Sequence, residues 1–224
     1  MVSPDGWIDG ITASGVVVFG IIFGLFFFYV SRKRKAKLLF YLGLANLLAG
    51  LMFLGVFLDF LLVVFTENNI DNTNGLVGIL SYIWFAPVVI TAMFIGAELI
   101  APKMKWYIVS IIAIVSIVFE IVIFMDPLEA FFFDPPTTDP PETLIDYNVN
   151  LDTLAGLLVG SLLLSILIFL GIGFIYKAIQ STGEIKRNFY LLSLGSVCFC
   201  IFGLLEGLTA PGFMVIIVRI GYLS

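Results

Sequence analysis

Six stretches of about twenty residues or more, and a seventh of fourteen, run on with almost no charge, and they constrain the fold more than any other feature. They cover 11–30, 38–65, 76–100, 106–125, 151–176, 188–209 and 211–224. A hydrocarbon core about 30 Å thick is crossed by about 20 apolar helical residues. The bilayer leaves no backbone group unsatisfied, so only helices or a closed barrel can span it. Strands of a barrel would alternate over about ten residues, and these runs are continuous. With 61% hydrophobic and 12% charged residues among 224, the chain lies far from soluble domains. The expectation is an all-α, polytopic membrane bundle of seven helices in one domain, 1–224, with the last helix short.

Charge then predicts orientation. Ten of the eleven basic residues fall in or beside three alternate loops: Arg32, Lys33, Arg34, Lys35 and Lys37; Lys103 and Lys105; Lys177, Lys186 and Arg187. Acidic residues crowd the other ends: Asp5, Asp9, Glu67, Asp71, Asp126, Glu129, Asp134, Asp139, Glu142, Asp146 and Asp152. Lysine and arginine favour the cytoplasmic side, which predicts a multi-pass protein of the cell membrane with its N-terminus outside. Asp5 and Asp9 precede the first apolar run and the basic cluster follows it, the reverse of a signal peptide. "SRKRKAK" reads as a topology anchor facing anionic lipid rather than as a nucleic-acid site.

Several chemistries lack their residues. There is no histidine, which removes bis-histidine haem, histidine zinc sites and Ser-His-Asp catalysis. Cys198 and Cys200 stand two apart on one helix and do not face each other, so neither a disulfide nor a metal clip is expected. No Gly-rich phosphate loop, metal-ligand spacing or nucleophile–base pair is found. The expectation is a non-enzyme without a cofactor. The last helix carries no lysine for a Schiff base, which disfavours a retinal pigment.

Between the fourth and fifth runs, 126–150 holds five of the nine prolines, Pro127, Pro135, Pro136, Pro140 and Pro141. It reads as a proline-stiffened acidic loop on the outer side, with Phe131, Phe132 and Phe133 along the interface and Tyr147 near it. Three Gly-xxx-Gly pairs, Gly20/Gly24, Gly156/Gly160 and Gly203/Gly207, predict close helix packing within the chain. Pro87 predicts a kink that frees a carbonyl one turn earlier.

Ionisable residues inside the apolar runs carry most of the functional information. Asp59 and Glu120 are each about 9 Å from the outer end of their helices, Glu206 about 6 Å and Arg219 about 12 Å, at about 1.5 Å per residue. Arginine keeps its proton and requires a carboxylate when buried. A polar cluster in the outer half is expected, with Glu206 as Arg219's first partner and Asp59 and Glu120 as the others. Asn46 is placed to support it by hydrogen bonding across helices. Glu98 lies at the inner end near Lys103, where snorkelling explains it. The cluster is either a ligand or ion site or a buried salt bridge that only fixes packing.

The end of the chain, "STGEIKRNFYLLSLGSVCFCIFGLLEGL" followed by "PGFMVIIVRIGYLS", resembles the seven-helix membrane sensor regions at the N-termini of archaeal and bacterial signalling proteins, including some histidine kinases. There a basic loop leads into an apolar sixth helix and an arginine sits within the seventh; Lys186, Arg187 and Arg219 occupy those places here. The resemblance covers about a quarter of the chain, which itself holds no kinase, cyclase or receiver domain. It implies a sensor that relays a signal to a cytoplasmic partner or to an output domain beyond Ser224. The stretch from Pro211 to Ser224 rises about 21 Å as helix, short of the bilayer core, and points the same way. A small transporter or channel using Asp59 and Glu120, and a structural membrane subunit, are the competing readings.

Overall fold

A computed structural model describes residues 2–136, 138, 141–209 and 212–223; Asp139, Pro140, Pro211 and Ser224 of the expectations above lie outside them. Among the described residues the regular structure is helical apart from one two-stranded hairpin. Helix α1 (Pro4–Arg34) and α2 (Lys37–Leu51) are joined by a two-residue turn in which Lys35 takes a left-handed conformation. After a break at Met52–Phe53 the chain continues as α3 (Leu54–Thr66), bent by 45° from α2. Then come α4 (Leu76–Tyr82), α5 (Phe85–Ile100) and α6 (Lys105–Met125). A short α7 (Pro127–Ala130) leads into strands β1 (Phe131–Asp134) and β2 (Asp146–Val149). The sequence ends with α8 (Leu154–Ile166), a π-helical turn at Leu167–Ile172, α9 (Gly173–Ile179), α10 (Gly183–Glu206) and α11 (Phe213–Leu223).

Among the described residues five segments are long and apolar enough to cross a membrane: Pro4–Arg34, Leu76–Ile100, Lys105–Met125, Leu154–Ile179 and Gly183–Glu206; the bent pair α2–α3, taken as one span, makes a sixth. The protein is an integral, multi-pass membrane protein by helix length and hydropathy. The eleven residues of α11 rise about 16 Å, about half a hydrocarbon core. Large apolar side chains point outward along the bundle, among them Ile11, Leu25, Phe26, Ile114, Ile121, Leu157 and Leu164. In lipid that surface needs no cover.

Glycine decides how α1 meets α2. A Cβ on Gly20 would come within 2.6 Å of the Gly50 Cα, and one on Gly24 within 3.0 Å of the Gly43 carbonyl oxygen. Both pairs bring backbones together in an antiparallel hairpin, so the first Gly-xxx-Gly pair is a helix contact. The other two bring no helix backbones together: a Cβ on Gly160 meets nothing within 4 Å, and those on Gly203 and Gly207 would make only ordinary contacts, at 4.0 Å to Tyr222 and 3.6 Å to Asn148. The break between α4 and α5 falls at Ile83–Trp84, where Pro87 has no N–H to give the Ile83 carbonyl, four residues earlier, its helical hydrogen bond.

Two cores hold the bundle. One gathers Phe85, Phe119, Ile123, Phe131, Leu162 and Ile166; the other gathers Val16, Val17, Phe53, Phe60, Val63 and Tyr222. The segment after α6, expected to be irregular, contains an antiparallel hairpin pairing Phe131 with Val149 and Phe133 with Tyr147. Of the three phenylalanines placed along the interface, Phe131 is instead buried in the first core while Phe132 is exposed. Strand alternation sends neighbouring side chains to opposite faces, which a run of three identical residues conceals. The hairpin lies at the end of the bundle rich in acidic residues.

Candidate functional site: a capped polar cavity around Arg219

Arg219 is buried on α11 with 5% of its side chain exposed. Its Nε donates to Glu206 Oε1 at 2.9 Å, and its Nη2 lies 2.8 Å from the same oxygen. Nη2 also lies 2.6 Å from Asp9 Oδ1. Nη1 donates to the Asp9 carbonyl and to Thr12 Oγ1, each at 2.6 Å. The Phe53 ring covers one face of the guanidinium at 5.1 Å. Planar forked donors against two carboxylates are the arrangement for which arginine, rather than lysine, is suited.

Helix α1 supplies Asp9 because it begins early. Ser3 caps it, its hydroxyl accepting from the Gly6 amide at 3.1 Å, and Pro4 occupies the first helical position. That places Asp9 in the second turn, where it is 8% exposed. Expecting the helix to start at residue 11 left Asp9 as a residue of the outer surface. The Ser-Pro-Asp start signal was present in the sequence and would have found it.

Asp59 and Glu120, expected beside Arg219, are elsewhere. Asp59 is fully buried, and donors from distant loops satisfy it. Its Oδ1 accepts from the Ile70 amide at 2.7 Å; its Oδ2 accepts from Asn69 Nδ2 and the Ile145 amide, each at 2.9 Å. Asp59 therefore holds the segment that leads into β2. Glu120 lies on α6, and both its carboxylate oxygens are buried without a hydrogen-bond partner among the described residues, as are Ser116 Oγ and Trp84 Nε1. Equal depth does not imply a shared face: α3 lines the arginine's cavity with Val56 rather than with Asp59, and Glu120 of α6 is not among the lining residues. Asn46 is also away from the cluster, its amide donating to the Leu42 carbonyl of its own helix at 2.9 Å.

The basic residues sit at the opposite end of the bundle from the hairpin. Arg32, Lys33 and Arg34 form the last turn of α1, Lys35 and Lys37 flank the turn to α2, and Lys186 and Arg187 lie in the first turns of α10. Lys103 precedes α6. Glu98 pairs with Lys105 rather than with the expected Lys103, at 2.6 Å, and the Phe94 ring lies 4.8 Å from that ammonium group.

A cavity of about 70 Å³ opens beside the arginine, lined by Asp9, Glu206, Arg219, Asp146, Tyr82, Tyr147 and Tyr222 among others. Phe53 and Met52, at the break between α2 and α3, close its floor, and Ile145, Asp146 and Tyr147 close it from the hairpin side. About 10–15 Å³ of such space holds one water, so it accommodates a few heavy atoms. Three carboxylates face one guanidinium there. Asp146, on β2, has its pKa raised by burial and by the nearby Asp9 and Asp134 charges, against the lowering effect of the Tyr147 amide and Arg219. Tyr222 lies one turn beyond Arg219, and its hydroxyl donates to the Ala49 carbonyl at 3.2 Å, next to the same helix break. Among the described residues no cluster of three acid or cysteine side chains is arranged to hold a metal ion. No protein-family model, curated protein or solved structure matches the chain.

Proposed function

We propose that the protein is a receptor-like membrane domain of seven helices, with its N-terminus outside, in which the capped cavity binds a small polar ligand or ion. Occupancy is relayed through α11 to a cytoplasmic signalling partner or output domain. The observation that carries this reading is the placement of Arg219. It ties a short helix to α1 and α10 on the wall of a cavity, and one turn on, Tyr222 ties the same helix to the break in α2–α3. A ligand that competes for Asp9 or Glu206 changes what holds α11. The separation of basic and acidic ends supports the orientation, and the likeness of the last two helices to membrane sensor regions supports the relay.

The test fills the cavity without touching the ion pairs. Gly203 lines the cavity and a Cβ there meets only Tyr222, at 4.0 Å, so Gly203→Val occludes it while Asp9, Glu206 and Arg219 stay paired. Spin labels at Phe40 on α2 and Ile220 on α11, both exposed, report their separation in nanodiscs during a screen of small ions and polar molecules. A distance change in the parent protein that Gly203→Val abolishes is the expected result. If every compound leaves the distance unchanged, the receptor reading is wrong.

A small transporter is the second reading, favoured by three interrupted helices: the breaks at Met52–Phe53 and Ile83–Trp84 and the π-helical turn at Leu167–Ile172. Discontinuous helices are common at transporter sites. Proteoliposome flux that survives Glu120→Gln and Asp59→Asn together rules it out in the carboxylate-coupled form.

A further inference from the structure

Beyond the polar cavity, a second and larger one of about 300 Å³ lies between α1, α2, α5, the π-helical turn and α10. Small side chains make the room: Gly20, Ala45, Ala49, Gly50, Ala92 and Gly195 all line it. Its polar residues have turned inward on their own helices. Asn46 donates to the Leu42 carbonyl, and Ser196 Oγ donates to the Leu192 carbonyl at 2.8 Å. The walls are thus apolar in effect, and water has few partners there. An engineered apolar cavity of about 150 Å³ stays dry and binds benzene; one twice that size is costly if empty.

The space is continuous with the lipid-facing surface, because Leu191 both lines it and is 58% exposed. Bilayer hydrocarbon is therefore the filling at hand. Charge says which lipid. Leu42 and Leu191 line the cavity, and Lys37 and Arg187 precede them by five and four residues on the same helices. At about 1.5 Å per residue the cationic groups stand about 6–8 Å beyond those leucines along the helix axes. Lys186 adds a third charge at that end.

We infer that this groove is a binding site for an anionic phospholipid, with one acyl chain between α2 and α10 and the phosphate headgroup against Lys37, Lys186 and Arg187. The inference stands apart from the ligand proposed for the polar cavity, although Tyr222 walls both spaces.

The test uses the full chain in phosphatidylcholine nanodiscs containing phosphatidylglycerol with a photoactivatable diazirine in its acyl chain. Cross-links mapped by mass spectrometry should fall on Leu42–Gly50 and Leu191–Phe199. Unlabelled phosphatidylglycerol should displace them, and unlabelled phosphatidylcholine should not. A Cβ on Gly195 meets nothing within 4 Å, so Gly195→Phe fills the groove without a backbone clash and should remove those cross-links while labelling at Ile114 on α6 stays constant. Lys37→Gln and Arg187→Gln should each weaken phosphatidylglycerol competition about fivefold, as expected for loss of one cation near a membrane surface. Equal competition by both lipids overturns the anionic site. Groove labelling unchanged by Gly195→Phe overturns the acyl-chain site, as does labelling no stronger there than at Ile114.

Discussion

Asp59 and Arg219 are both buried charges at the acidic end of the bundle, and the chain satisfies them in opposite ways. Asp59 is surrounded by donors that carry no charge, two backbone amides and an asparagine side chain, drawn from loops that also pack Leu144 into the core beside α3. Arg219 meets two carboxylates from two other helices, and one of them, Glu206, keeps its second oxygen without a partner among the described residues. The first junction is closed and fixes the hairpin. The second holds a helix beside a cavity and has a carboxylate oxygen to spare. A junction of neutral donors around one charge has a single arrangement, whereas competing charges around a cavity can exchange partners with a ligand.

Removing Arg219 should have the largest effect, because Arg219→Met leaves Asp9 and Glu206 facing each other without a counter-charge. Breaking a buried pair in this way costs about 3–5 kcal/mol, read as a fall in unfolding free energy in bicelles. Asp59→Asn should cost less, about 1.5–3 kcal/mol, because hydrogen bonds to a charge are lost but no orphan charge remains. Its signature is faster amide exchange at Ile70 and Ile145, with α11 unaffected. If Asp59→Asn also frees α11, the two junctions are one unit and the contrast fails.

Glu120 supplies the control, a carboxylate with neither kind of partner. Glu120→Gln should stabilise the protein by about 1 kcal/mol, a rise in Tm of about 2–4 °C at this chain length; a fall would show that its charge is used. The smallest effect is a pH dependence. Asp146 has a raised folded pKa, so the folded state takes up its proton before the unfolded chain does. Its protonated form favours folding, and that contribution is lost as pH rises through the folded pKa. Asp146→Asn should flatten the stability profile above the ordinary carboxylate range near 3.8, measured by thermal unfolding across pH.

The membrane class and the pairing of Glu206 with Arg219 were legible because each follows from one chain-local fact, an apolar run or a permanent charge inside one. Asp9 was missed as a partner, although the capping serine and first-turn proline ahead of it signal a helix that includes it. The partners of Asp59 were not, since Ile145 lies 86 residues away and the contact rests on a backbone amide that has no sequence signature. Nor was the hairpin: "FFFD" and "DYNV" are too short for an alternating pattern to emerge, and the prolines between them announce only a turn. Depth along a helix was readable, but rotation about its axis was not, which is why Glu120 was grouped with residues it does not meet.

Tyr222 is a partition shared by two chambers, one polar and one apolar. It stands one turn from Arg219 on the same helix face, so a rotation of α11 that enlarges one chamber moves the same wall against the other. The lipid proposed for the bilayer-side chamber and the ligand proposed for the capped one would share this aromatic ring as a wall. On those two proposals, lipid composition bears on the ligand chamber through this ring as well as solvating the bundle.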